Sequence, residues 1–222
     1  MHLIECGYNA GFMLQAQRTR TRPISESGGV EGNRRLTSIT AIVLLVLLFV
    51  EGLTVLLGVR GQIRIHVFVG MLLLPPIALK LASVGYRFIR YYTGSPAYRA
   101  AGPPHWVMRS LGPIVVLSTV TLFASGVVLI VFGRKQLALS LHKLSFLVWV
   151  ATMSVHVLVY AWRLPGVAVQ EWARRSLGRG PAVRLSALVV SLALGVGLAA
   201  LTVHLAAPWT HHHFDGGFGD GR

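Results

Sequence analysis

The sequence predicts an all-α integral membrane protein, a helical bundle with five transmembrane helices. Three observations carry this. Hydrophobic residues make up 54% of the chain and charged residues only 13%, where a soluble domain carries roughly 25% charged. The apolar residues gather into five runs of about 20 residues or more, the length a helix needs to cross the hydrocarbon core. These runs are 39–59, 65–85, 111–133, 137–161 and 185–207. None alternates with period two, as the strands of a membrane β-barrel would.

Residues 1–38 are polar, with Arg18, Arg20, Arg22, Arg34 and Arg35 and the Gly-rich stretch SESGGVEGN. They are expected to form a disordered cytoplasmic tail. The run 39–59 is too long for the apolar part of a signal peptide and lacks a small-residue cleavage site. Pro75-Pro76 lie inside the second run and should kink it, because two backbone donors are lost. The loop 86–110 contains YYTGSPAYRAAGPPHW, dense in turn formers, with aromatics suited to the membrane interface. Between the fourth and fifth runs, VAVQEWARRSL (167–177) reads as a short interfacial helix, Trp172 toward lipid and Arg174 and Arg175 toward headgroups. The runs together form a transmembrane domain, 39–207, and the Gly-rich end, 208–222, is expected to be a flexible extracytoplasmic tail.

In a soluble chain a net charge of +14 would point to nucleic acid. Here the charges lie between the apolar runs, where Arg and Lys set topology, so lipid is the expected partner and nucleic acid is not. The N-terminal tail, the 86–110 loop and the 162–184 loop carry five, four and five Arg. The opposite side receives Arg60 and Arg64, Arg134 and Lys135, and Arg222. This asymmetry predicts a multi-pass protein of the cell membrane, N-terminus cytoplasmic and C-terminus outside. Cys6 is the single cysteine, which excludes internal disulfides, cysteine-rich metal clusters and covalent c-type haem attachment. A metal or haem would have to be held by histidine or other non-sulfur ligands.

Polar groups inside lipid are costly and mark function by default. The fourth run, LALSLHKLSFLVWVATMSVHVLVYA, carries His142 and His156. On a helix a 14-residue step leaves them within about 40° of one face and about 21 Å apart along the axis. Ser145, Trp149 and Thr152 fall near the same stripe. One helix thus offers an imidazole to each leaflet, the spacing needed for two stacked haems; the alternative is two separately hydrogen-bonded histidines. His66, near the outer end of the second run, lies at the expected depth of His142. Two imidazoles from facing helices can clamp one iron from both sides. Gly70 and Gly126 would let a flat macrocycle approach the backbone, or serve as ordinary helix-packing residues. Gly112 repeats the 14-residue offset from Gly126.

Fourteen residues beyond His66 stands Lys80. It is an unusual iron ligand, a cation reaching for the inner surface, or a partner for a haem propionate. His105 is a second candidate at the inner side, though close to the surface. Arg64 and Lys143 flank the outer site, with Arg60 and Arg134 further out, as propionate partners or interface anchors. Glu51, past the middle of the first run, pairs with a buried cation, stays protonated, or serves a proton route or a quinol. His204 reads as a helix-end residue or spare ligand, and His211, His212 and His213 as a solvated run.

The segments IRIHVFVGMLLLPPIALKLASVGYRFIRYYTGSPAYR, RSLGPIVVLSTVTLFASGVVL and LHKLSFLVWVATMSVHVLVY resemble membrane-embedded b-type cytochromes, in particular short actinobacterial cytochrome b-like proteins. The resemblance spans about residues 60–162. It implies a four-helix haem-binding core with bis-histidine haem b. His66, His142 and His156 would be the iron ligands, and Lys80 stands where a di-haem member carries a fourth histidine. It also implies electron transfer between a membrane quinone and a partner such as a molybdopterin oxidoreductase subunit. The sequence holds no flavin or nucleotide motif, so the chain is at most the electron-transfer subunit of an enzyme. The rival reading is a haem-free scaffold or transporter subunit in which Lys80 and Glu51 form a buried ion pair.

The orientation is open to direct test. A C-terminal fusion to a reporter that works only outside the cytoplasm should be active; activity of a cytoplasm-only reporter there would reverse the topology.

Overall fold

The computed structural model describes residues 24–102, 106–160 and 179–210. The expected tail up to residue 23, His105, the 167–177 helix and His211 to His213 lie outside the described residues. The described chain is helical: α1 (Ile24–Leu56), α2 (Val59–Tyr92), α3 (Pro96–Ala100), α4 (Trp106–Phe132), α5 (Gln136–Tyr160) and α6 (Arg179–Thr202), then a 3-10 turn (Val203–Ala206) and α7 (Ala207–Thr210). Five of these, α1, α2, α4, α5 and α6, are long and apolar enough to cross a membrane.

The first helix departs from expectation at its start. It begins at Ile24, well inside the stretch read as tail. Glu31 pairs with Arg34 at 2.9 Å and with Arg35 at 2.8 Å, the one-turn spacing that supports a polar helix end. Asn33 Nδ2 donates to the carbonyl of Ser83 at 3.0 Å, and Thr37 and Ser83 share a hydroxyl bond of 2.7 Å. Contacts to α2 therefore hold as helix what composition alone reads as disorder.

The helices pack in two groups. In one, α2 lies against both α1 and α6; in the other, α4 pairs with α5. The groups meet over a small area, chiefly between α2 and α4. Leu44, Val69, Leu73 and Ile77 form a buried cluster, extended by Leu47, Leu48, Phe68, Leu81 and Phe123. Across α4 and α5, Trp149 Nε1 donates to Thr119 Oγ1 at 3.0 Å, and Thr119 Oγ1 donates to the carbonyl of Val115 at 2.6 Å. The cost of placing an indole N–H in hydrocarbon is met inside the pair.

Pro75-Pro76 do not break α2. The backbone stays helical through both, and the non-helical residue in this helix is Gln62 (φ −118°, ψ 16°), near its start. Proline at position 76 leaves the carbonyl of Leu72 without its usual donor four residues on. α6 covers that carbonyl with Gly195, where an added Cβ would overlap Leu72 O. The freed acceptor faces a glycine backbone, which can offer Cα–H contacts. Ser191, Gly195 and Ala199 are buried at helical spacing, the small-residue stripe that lets membrane helices approach closely.

Gly195→Ala should therefore wedge α6 off α2 and destabilise the bundle by about 1–3 kcal/mol, the usual range for overpacking. Gly197, with nothing within 4 Å of an added Cβ, should accept alanine without loss. Thermal unfolding of both variants in detergent checks this.

Candidate functional site

Two turns set the depth of the site. Gly58, at φ 92°, links α1 to α2, and Gly133, at φ 75°, lies between α4 and α5. Both backbones need the left-handed region, where glycine carries no steric cost. His66 on α2 and His142 on α5 each lie a little over two helical turns beyond their glycine. Their rings meet across the boundary between the helix groups, with centroids 6.3 Å apart and planes at 90°.

Each ring is anchored through one nitrogen. His66 Nδ1 lies 2.8 Å from Glu51 Oε1 and 3.0 Å from Thr54 Oγ1, both on α1. The Thr54 hydroxyl donates to the carbonyl of Glu51 at 2.6 Å, so toward the imidazole it accepts. With Glu51 a carboxylate, Nδ1 must carry the proton. His142 Nδ1 lies 3.0 Å from the carbonyl of Leu122 and 3.2 Å from Ser125 Oγ, on α4. A carbonyl only accepts, so Nδ1 carries the proton here also. Both rings are thereby held with the Nε2 lone pair uncommitted. Metal-bound histidines are oriented in this way, by a carboxylate or backbone carbonyl on the far nitrogen.

The spacing also suits a shared ion. Two imidazoles bound at about 2 Å each, the usual metal–nitrogen length, place their centroids roughly 6 Å apart. Among the described residues no cluster of three or more His, Cys, Asp or Glu side chains gathers, so the donor set here is this pair. Two neutral imidazole nitrogens suit an ion whose remaining positions are filled by another ligand.

Two of the glycines lie beside the side chains of the pair. A Cβ at Gly126 would sit 3.2 Å from His142 Cε1, and one at Gly70 3.5 Å from Glu51 Oε1. Gly126 makes room for the ring, while a Cβ at Gly70 would make only ordinary contact with the carboxylate that holds the other ring. A Cβ at Gly112 would meet nothing within 4 Å.

Lys80 and His156 stand apart from the pair. Lys80 Nζ donates to the carbonyl of Thr37 at 2.9 Å and lies within electrostatic range of His156. Since α5 is continuous from Gln136 to Tyr160, His156 lies about 21 Å along the helix from His142. The Glu51–Lys80 ion pair is not formed, because Glu51 is spent on His66 and Lys80 on Thr37. Arg64, Lys143 and His204 are exposed, and Arg64 lines a groove of about 380 Å³ with Arg60, Gln62, Ile65 and Thr210. Thr54, Leu122 and Ser125 were not singled out from sequence. For Ser125 the signal was present: it precedes Gly133 by nearly the distance at which His142 follows it, as Glu51 and His66 stand about Gly58.

No protein-family model, no curated protein and no solved structure matches the chain.

In metal-free protein labelled with 15N-histidine, solid-state NMR should show His66 and His142 protonated at Nδ1 and bare at Nε2. An Nε2–H tautomer at either would contradict the assigned bonds.

Proposed function

We propose that the chain is a membrane b-type cytochrome in which His66 and His142 are the two axial ligands of one haem b. It would pass electrons between a membrane quinone pool and a redox partner, such as a molybdopterin oxidoreductase subunit. The observation that carries this reading is the imidazole pair: two histidines from separate helix groups, opposed at 6.3 Å, each pinned through Nδ1 with Nε2 left available. A structural histidine in lipid gains most by bonding both nitrogens; these two bond one.

When bound, haem supplies the one-electron chemistry. The residues of the chain do the rest. Glu51 and Thr54 orient one ligand, while Leu122 and Ser125 orient the other. Gly126 keeps space open beside His142, and Gly70 lies against Glu51. Arg64 and Lys143, exposed near the same end, are suited to pair with propionates. His156, with Lys80 in electrostatic range, marks where a second haem would be held. The rival scaffold or transporter reading loses its Glu51–Lys80 pair, since each of those side chains bonds elsewhere.

The protein would work in the cell membrane with its N-terminus inside. His66→Ala and His142→Ala should each abolish the same low-spin spectral component, and the double variant should lose no more than either single. His156→Ala and Lys80→Met should spare it. Reduced-minus-oxidised spectra and haem-to-protein ratios of the purified variants decide the matter. Wild-type haem content and spin state in both His66→Ala and His142→Ala would defeat the model.

A further inference from the structure

The two imidazoles are held by unequal partners, and the inequality has a chemical consequence. His142 donates to neutral acceptors, the carbonyl of Leu122 and the hydroxyl of Ser125. With Glu51 a carboxylate, His66 donates to a charged acceptor at 2.8 Å. The second oxygen of that carboxylate, Glu51 Oε2, is buried and makes no hydrogen bond, so its charge is not shared out. No Lys or Arg among the described residues bonds to it. An anion in hydrocarbon without a compensating positive charge is costly. Among the described residues the group paired with it is His66, together with whatever cation His66 binds through Nε2.

We infer that Glu51 is a positioning residue that sets the redox potential of the site. By drawing on the Nδ1 proton it makes His66 the more electron-donating axial ligand, and its charge favours the oxidised, more positive iron. The inference rests on the haem reading above. The electron balance is simple: ferric iron gains one electron and becomes ferrous, with no bond made or broken in the chain. Removing the negative charge while keeping an acceptor on Nδ1 should therefore favour the reduced state. Within a low-dielectric site the effect is not diluted as it would be in water.

Glu51→Gln separates charge from geometry, because the amide oxygen can still accept from His66 Nδ1. Gly197→Ala and Ser186→Ala, on α6 and touching neither ligand, serve as controls. Each is purified as full-length protein with haem and titrated at equilibrium against a series of applied potentials. Glu51→Gln should keep its haem and show, at fixed potential, a ferrous-to-ferric ratio raised about tenfold, which is about 59 mV for a one-electron couple. The two controls should move far less. A Glu51→Gln protein with haem and a wild-type potential would overturn the inference. If Glu51→Gln loses its haem, the wild type decides: pulsed electron paramagnetic resonance on 15N-histidine-labelled ferric protein should resolve two inequivalent axial imidazoles, and two equivalent ones would overturn it. A wild type that binds no haem when haem is supplied removes the proposed function itself, and this inference with it.

Discussion

Hydrocarbon offers no hydrogen-bond partners, and this constraint decides which of these helices touch and where. Every polar group carried into an apolar span must be satisfied by another part of the protein. The carbonyl that Pro76 frees on Leu72 meets Gly195 of α6. The ammonium of Lys80 meets the carbonyl of Thr37 on α1, and the indole of Trp149 meets Thr119 on α4. These contacts pair α2 with α1 and α6, and α5 with α4. Apolar packing fills the space between them, yet leucine packs as well against lipid as against another helix. The polar and small residues fix the register.

The same register builds the site. In a helical hairpin, residues equally distant from the turn face one another. Glu51 and Thr37 stand seven and 21 residues before Gly58, and His66 and Lys80 eight and 22 after it. α1 therefore supplies an acceptor to α2 twice, at levels 14 residues apart, once as a carboxylate and once as a backbone carbonyl. About Gly133, Ser125 and His142 are related in the same way. The two hairpins are built on one plan, with the helix preceding the turn holding the side chain offered by the helix that follows it.

Much of this was legible in the sequence, and the limits have physical causes. Five spans follow from run length alone, because the bilayer thickness sets it. The shared depth of His66 and His142 follows from counting residues to a turn. The start of α1 did not, because Asn33 and Thr37 look like tail residues until α2 offers them Ser83. The course of α2 through Pro75-Pro76 did not, because what steadies it is Gly195, more than a hundred residues away. The neighbours of Gly70 and Gly126 were hidden for a similar reason. A glycine announces that something comes close without saying what, and here it is a carboxylate and an imidazole.

The division into two helix groups gives the imidazole pair its significance. His66 belongs to the group of α1, α2 and α6, and His142 to the group of α4 and α5, and the groups share little direct packing. A histidine needed only for stability would be placed within one group, where its partners are. Each of these is satisfied within its own group through Nδ1, and its ring then meets the other across the boundary between the groups. Stability does not require that second step, since a ring turned toward lipid-facing aliphatic neighbours would hold the same Nδ1 bond. The arrangement is therefore one that a bound cation would stabilise, and binding there would join the two groups across the boundary where the packing is thinnest.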